Sequence, residues 1–229
     1  MKIFIIHGWT YNLLKWPVFC DELRKLSLEP VQLKVPGLTA PLPGKPWTID
    51  EYVEWLRGQL KNESNPVVIG HSNGGRIALN YVKKYPSHLG RLILIDSAGV
   101  PHQQTGSTFK LNILKVIAKI GKPLGFIPGL RKLFYKLIGG KDYFEAGPNM
   151  RLTMRNMLKA DEKTDFASVD LPVTIIWGKE DKQTPLSDGE SMASSIKGAK
   201  LHIIEGARHA PFFTHPKEAA KIVAEATKN

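Results

Sequence analysis

A serine set among glycines, Gly70-His71-Ser72-Asn73-Gly74-Gly75, follows the apolar run Pro66-Val67-Val68-Ile69 and precedes a helical stretch from Arg76 to Pro86. This is Gly-x-Ser-x-Gly between a strand and a helix, the nucleophile-elbow pattern. A sharp turn there lifts a hydroxyl off the sheet. The following helix then points its first backbone N–H groups, and its positive end, at a reacting oxygen. Gly70 and Gly74 allow the close approach that side chains would block.

A serine hydroxyl is a weak nucleophile at neutral pH and needs a base, usually an imidazole oriented by a carboxylate. Asp181 lies in Trp177-Gly-Lys-Glu-Asp-Lys-Gln-Thr-Pro185, after the run Val173 to Trp177. His209 lies in Glu205-Gly-Ala-Arg-His-Ala-Pro211, after Leu201 to Ile204. The order Ser72, Asp181, His209 suits this elbow. Two other acids compete for the orienting role: Asp96, which ends the run Arg91 to Ile95, and Glu180, beside Asp181. His7 and His71 stand inside motifs where an imidazole makes structural hydrogen bonds. His88, His202 and His215 read as surface or loop residues, and His102 as a minor pocket candidate. No histidine spacing resembles a zinc site.

These loops need a scaffold that brings them to one edge. Ile3 to Ile6, Val31 to Val35, Val67 to Ile69, Leu92 to Ile95, Val173 to Trp177 and Leu201 to Ile204 are short β-branched runs, each ended by Gly, Pro, Asp or Glu, and are expected to be buried strands. Between them helical spacing covers Trp16 to Leu28, Ile49 to Leu60, Gly74 to Lys84, Leu186 to Ile196 and Pro216 to Ala226. Strand alternating with helix predicts a three-layer α/β fold of about six mostly parallel strands, with ligands beyond their carboxyl ends. The alternation breaks after the fourth strand. Helical segments Phe109 to Ile120, Leu130 to Leu137 and Pro148 to Ala160 predict a helical cap over residues 101–168, leaving 1–100 and 169–229 as the core.

The segments Ile5-Ile6-His7-Gly8-Trp9, Val35-Pro36-Gly37, Ile69 to Gly75, Ile175 to Pro185 and Glu205 to Phe212 resemble the α/β-hydrolase superfamily along essentially the whole chain. The cap segment Gly139 to Leu158 is similar to that of the branch holding small esterases and carbon–carbon bond hydrolases of meta-cleavage products. The resemblance implies a Ser–His–Asp hydrolase with no metal and no organic cofactor. It places an oxyanion hole at the backbone N–H groups of Trp9 and Asn73, and substrate contacts at Trp9 and His71. Ser72 in place of an aspartate sets the chain apart from the haloalkane dehalogenase and epoxide hydrolase branches. Against the family pattern, Met1 opens directly onto the strand before His7, as if two N-terminal strands were absent. Arg208 stands where relatives carry glycine, and would bring a cation near the pocket.

The formal charge is +11, and residues 101–165 hold 12 Lys and Arg against 5 Asp and Glu, so +7 of it is local to the expected cap. Lys110, Lys115 and Lys119 interleave with Leu111, Leu114, Ile117 and Ile120. This reads as a solvated basic face over a core-facing stripe, with weak association to an anionic membrane surface as the alternative. No zinc-finger spacing or aromatic ribonucleoprotein motif points to nucleic acid. The single cysteine, Cys20, excludes an intramolecular disulfide. The N-terminal apolar run is too short for a signal segment, and no stretch of 18 uncharged apolar residues occurs, so a cytoplasmic location is the expectation. The function expected is a carboxylesterase acting on small to medium acyl esters. A meta-cleavage-type carbon–carbon hydrolase and a non-catalytic ligand receptor of the same fold stay open beside it.

Overall fold

The alternation of side chains along each strand decides how the layers form. The structure is a computed structural model, describing residues 1–9, 13–42, 44–101, 146–161 and 165–228. In β1 (Lys2–Ile6), Ile3 and Ile5 enter one apolar cluster while Phe4 and Ile6 enter another. The same two-sided burial recurs in β3 (Val67–His71), β4 (Arg91–Ile95) and β5 (Val173–Gly178). Strands apolar on both faces need helices on both faces. α2 (Ile49–Leu60), α3 (Asn73–Lys84) and α5 (Leu186–Ser195) cover one face, through Tyr52, Leu56, Ile77 and Met192. The other is covered by α1 (Pro17–Lys25), α6 (Pro211–Thr214) and α7 (Pro216–Ala226), through Phe19, Leu23, Phe212 and Val223.

With β2 (Glu29–Gln32) and β6 (Lys200–Ile204), the strands form a six-stranded sheet in the order β2-β1-β3-β4-β5-β6, every pair parallel. From β1 the chain moves outward to β2 and then returns past β1 to β3. The direction of strand addition therefore reverses between β1 and β3, and the crevice beyond their carboxyl ends is where such sheets bind ligands. Gly8-Trp9 and Ser72 are the residues that leave those two strands.

The expected helices agree closely with those observed, and α2 and α7 do so residue for residue. Both carry clear start signals. The Thr48 amide donates to Glu51 Oε2 at 2.6 Å, and Pro216 occupies the first turn of α7. The second strand differs: it spans Glu29–Gln32, not Val31 to Val35. After Leu33 the chain turns, and the Val35 carbonyl accepts from the amides of Leu38, Thr39 and Ala40. Val35 is thus buried as the anchor of a turn, and an apolar run alone does not distinguish that from a strand. The short α6, just after His209, was not anticipated.

Of the expected cap, α4 (Pro148–Ala160) is described, with the bounds read from the sequence. The segments Phe109 to Ile120 and Leu130 to Leu137 lie outside the described residues, as does His102. α4 is tied to the loop before α2: Thr153 Oγ1 accepts from the Trp47 amide at 2.9 Å, Asn156 Nδ2 donates to the Trp47 carbonyl at 3.0 Å, and Asn149 Nδ2 to the Gly44 carbonyl at 3.0 Å. No helix among the described residues is long and apolar enough to cross a membrane.

Candidate active site

Ser72 caps the start of α3 with φ 52° and ψ −119°, a conformation that L-residues rarely adopt. Holding it there costs about 1–3 kcal/mol, which the surrounding packing must offset. That packing depends on glycine: a Cβ on Gly70 would lie 2.6 Å from the Gly75 Cα, so the elbow closes only without side chains. The Ser72 amide donates to the Ile95 carbonyl at 3.1 Å, and the Ser72 carbonyl accepts from the amides of Gly75 and Ala98, both at 3.0 Å. The backbone is pinned on both sides, and the residue is half-buried.

His209, on the loop after β6, brings Nε2 to 2.9 Å from Ser72 Oγ and Nδ1 to 2.7 Å from Asp181 Oδ2. A carboxylate only accepts, so Nδ1 carries the proton and Nε2 is left to accept from the serine hydroxyl. Asp181 is held as tightly as the imidazole. Its Oδ1 accepts from the amides of Gln183 at 2.7 Å and Thr184 at 3.2 Å, and its Oδ2 also accepts from Thr184 Oγ1 at 2.7 Å. Asp181 and His209 are both buried.

The competing acids stand elsewhere. Asp96 is fully buried at the end of β4, where its Oδ1 accepts from the Gly178 amide at 2.8 Å. Burial first, and the neighbouring Asp181 second, push its carboxyl well above the usual carboxylate range. Glu180 is exposed and faces Arg208 at 4.0 Å. Arg208 itself is 80% exposed, so the cation expected near the pocket points to solvent.

His71 is fully buried directly under the site. Its Nε2 lies 2.8 Å from the His209 carbonyl oxygen, and its ring meets Phe212 edge-on at 4.8 Å between centroids. Phe212 stacks on Trp16 at 3.7 Å, so the histidine loop rests on α1 through an aromatic column. Burial, and then the charge His209 can carry, hold the His71 imidazole well below its ordinary pKa. His7 Nδ1 lies 2.8 Å from the Gly8 carbonyl, and its Nε2 lies 2.8 Å from Thr39 Oγ1, fixing the loop that carries Trp9. Burial lowers its pKa as well. His71, Asp96 and His209 also bring possible ligand atoms within 4.8 Å of one another, but both His209 nitrogens already face Asp181 and Ser72.

Gly8 lies against Ser72: a Cβ on it would fall 2.8 Å from Ser72 Cβ and 3.2 Å from Ser72 Oγ. Trp9 and Asn73, the residues expected to supply the oxyanion amides, directly follow Gly8 and Ser72 in the chain. Two residues of the site were not singled out from the sequence. Thr184 sits three positions after Asp181, a spacing that lets a turn hydroxyl reach back to a carboxylate. Arg76 looked like one more helix residue, yet it is buried, with its guanidinium on Asp161 and Asn73.

A sequence profile for the alpha/beta hydrolase fold matches residues 3–216. The chain belongs to the α/β-hydrolase fold family. Among the relatives of this α/β hydrolase are a pimeloyl-[acyl-carrier protein] methyl ester esterase of Neisseria meningitidis, 25% identical over 96% of this chain and 75% of that one. The human monoacylglycerol lipase ABHD6 is 23% identical over 98% and 74%. Solved structures of similar fold include an esterase from Thermogutta terrifontis, with a TM-score of 0.73 and 21% identity over 100% of this chain and 89% of that one. A bromoperoxidase from Bacillus anthracis has a TM-score of 0.75 and 19% identity over 100% and 92%. At these identities the solved structures speak for the fold of this α/β hydrolase, which different chemistries share.

Proposed function

We propose that this α/β hydrolase is a carboxylic ester hydrolase working through an acyl-enzyme at Ser72. The observation that carries the reading is the continuous hydrogen-bonded line from Ser72 Oγ through His209 to Asp181, with separations of 2.9 and 2.7 Å. His209 Nε2 takes the hydroxyl proton as Ser72 Oγ attacks the acyl carbon, and the Asp181 carboxylate stabilises the imidazolium. The backbone N–H groups of Asn73 and Trp9 receive the oxyanion, and the Trp9 indole borders the acyl pocket. His209 then returns the proton to the departing alcohol, and water repeats the sequence to release the acid. His71 supports the His209 carbonyl from beneath and stays neutral throughout.

The esterase and lipase names of relatives matching nearly the whole chain support an ester as substrate. Residues 101–168 are the part of the chain to which this reading assigns the selection of acyl groups. A carbon–carbon bond hydrolase gains from a cation in its pocket; Arg208 is 80% exposed and does not supply one, while the basic segment 110–119 lies outside the described residues.

The test is purified Ser72→Ala against wild type on short-chain p-nitrophenyl esters, with fluorophosphonate labelling of both. The expected result is labelling of wild type only and a loss of turnover on the order of a millionfold. Equal turnover by the two proteins would remove the mechanism. An unlabelled wild type would favour a ligand receptor, and faster turnover of a meta-cleavage dienoate than of any ester would favour carbon–carbon cleavage.

A further inference from the structure

Arg76 presents three nitrogen donors and a cationic face, and with them it meets three residues, Asp161, Asn73 and Trp9. Nε and Nη2 donate to Asp161 Oδ1 and Oδ2 at 2.5 and 2.8 Å, while Nη1 donates to Asn73 Oδ1 at 2.6 Å. The guanidinium carbon lies 5.7 Å from the centre of the Trp9 ring. Arg76 is 2% exposed and Asp161 5%. A cation so far from water is tolerated only with its charge and hydrogen bonds met, and this pair uses the planar fork to do it.

The four residues come from three places in the chain. Asp161 caps the carboxyl end of α4, where the helix dipole disfavours an anion and favours the guanidinium beside it. Asn73 opens α3 next to Ser72, and Trp9 ends the loop after β1. Because a guanidinium only donates, it fixes the Asn73 amide with Oδ1 inward and leaves Nδ2 without a partner among the described residues. We infer that Arg76, anchored by Asp161, is the positioning residue of the oxyanion hole, holding Asn73 and Trp9 in place and coupling them to α4. The inference rests on the proposed acyl-enzyme mechanism, since it assigns those two amides their task. Arg76 touches no reacting atom. It acts through the side chains of the two residues whose backbone N–H groups do, so a shift of α4 is carried to the oxyanion hole by this guanidinium.

The experiment compares Arg76→Lys, which loses the fork, and the apolar double variant Arg76→Met/Asp161→Met, which leaves no unpaired charge, with wild type. Turnover of a p-nitrophenyl ester is measured alongside inhibition by phenylboronic acid, whose tetrahedral serine adduct needs the oxyanion hole. Expected are a fall in kcat of about 10- to 100-fold, a rise in the boronate inhibition constant of similar size, and KM within about threefold. Wild-type kcat and boronate affinity in the double variant, with only a lower melting temperature, would overturn the inference. If both Arg76 variants prove insoluble, Asn73→Ala decides in the same assay. It removes the acceptor and spares the ion pair, so weakened boronate binding supports the positioning role and unchanged binding overturns it. An active Ser72→Ala would instead sink the acyl-enzyme mechanism itself.

Discussion

Thr184 Oγ1 donates to Asp181 Oδ2, the oxygen that also faces His209 Nδ1, with both contacts at 2.7 Å. The hydroxyl thereby fixes the rotation of the carboxylate that orients the imidazole, and Trp177 Nε1 secures the Thr184 carbonyl at 3.0 Å. Thr184→Val keeps the shape and removes the donor. It is expected to lower kcat about 10-fold while changing the melting temperature little, as loss of one hydrogen bond to a charged group implies. Steady-state kinetics with a thermal melt checks this, and wild-type kcat in the variant would contradict it.

Asp181 and Asp96 are separated by what they touch. Asp181→Asn leaves the geometry nearly intact but favours the wrong imidazole tautomer, and is expected to reduce kcat on the order of 10⁴-fold. Asp96→Asn keeps an acceptor for the Gly178 amide and is expected to stay within about threefold of wild type. A reversed order of the two variants would move the orienting acid to Asp96.

The Asp96 carboxyl also sets a pH dependence of stability. Its folded-state pKa is raised by burial, whereas the unfolded chain titrates near about 3.9. As pH rises above that value the unfolded state gives up a proton that the folded state keeps, so this group makes folding progressively less favourable. Asp96→Asn removes the effect. Urea denaturation from pH 4 to 8 is expected to show the variant gaining on wild type as pH rises, and parallel curves would refute it.

His71 titrates in the opposite sense. Its folded-state pKa lies well below its ordinary value, so the unfolded state binds the extra proton below about pH 6.5. Its contribution is complete above that pH and is lost as pH falls through it, with a limiting slope of about 1.4 kcal/mol per pH unit for one proton. His71→Gln is expected to flatten the stability profile between pH 6.5 and 5 without abolishing it, since His7 is depressed in the same direction. Denaturant midpoints across that range decide it.

Gly8 and Gly70 should fail differently. A methyl at Gly70 meets the Gly75 backbone, which cannot yield, so Gly70→Ala is expected to destabilise the fold by about 1–3 kcal/mol or more. A methyl at Gly8 meets Cβ and Oγ of Ser72 itself, so Gly8→Ala is expected to lower kcat more than 10-fold in the protein that remains folded. Melting temperatures and kcat for the pair test the contrast.

Much of the architecture was legible because its signals are local. Thr48 with Glu51 and Pro216 mark the starts of α2 and α7, Pro148 that of α4, and the β-branched runs identify the central strands. The bounds of β2 differ from the expectation because it is an edge strand, and Val35 is buried in a turn rather than in the ladder. The exposure of Arg208 was likewise invisible, since nothing in Ala-Arg-His tells which way a long side chain leaves the loop.

The order of Ser72, Asp181 and His209, each just past a strand, was determined by the sequence, since glycines and strand ends are written in neighbouring residues. Which acid turns toward His209, and that Arg76 is a buried hub rather than a surface cation, were decided only by the tertiary structure. Those contacts join residues 28 and 85 positions apart. Their strength depends on burial and angle, and neither exists until the sheet and its helices have closed around them.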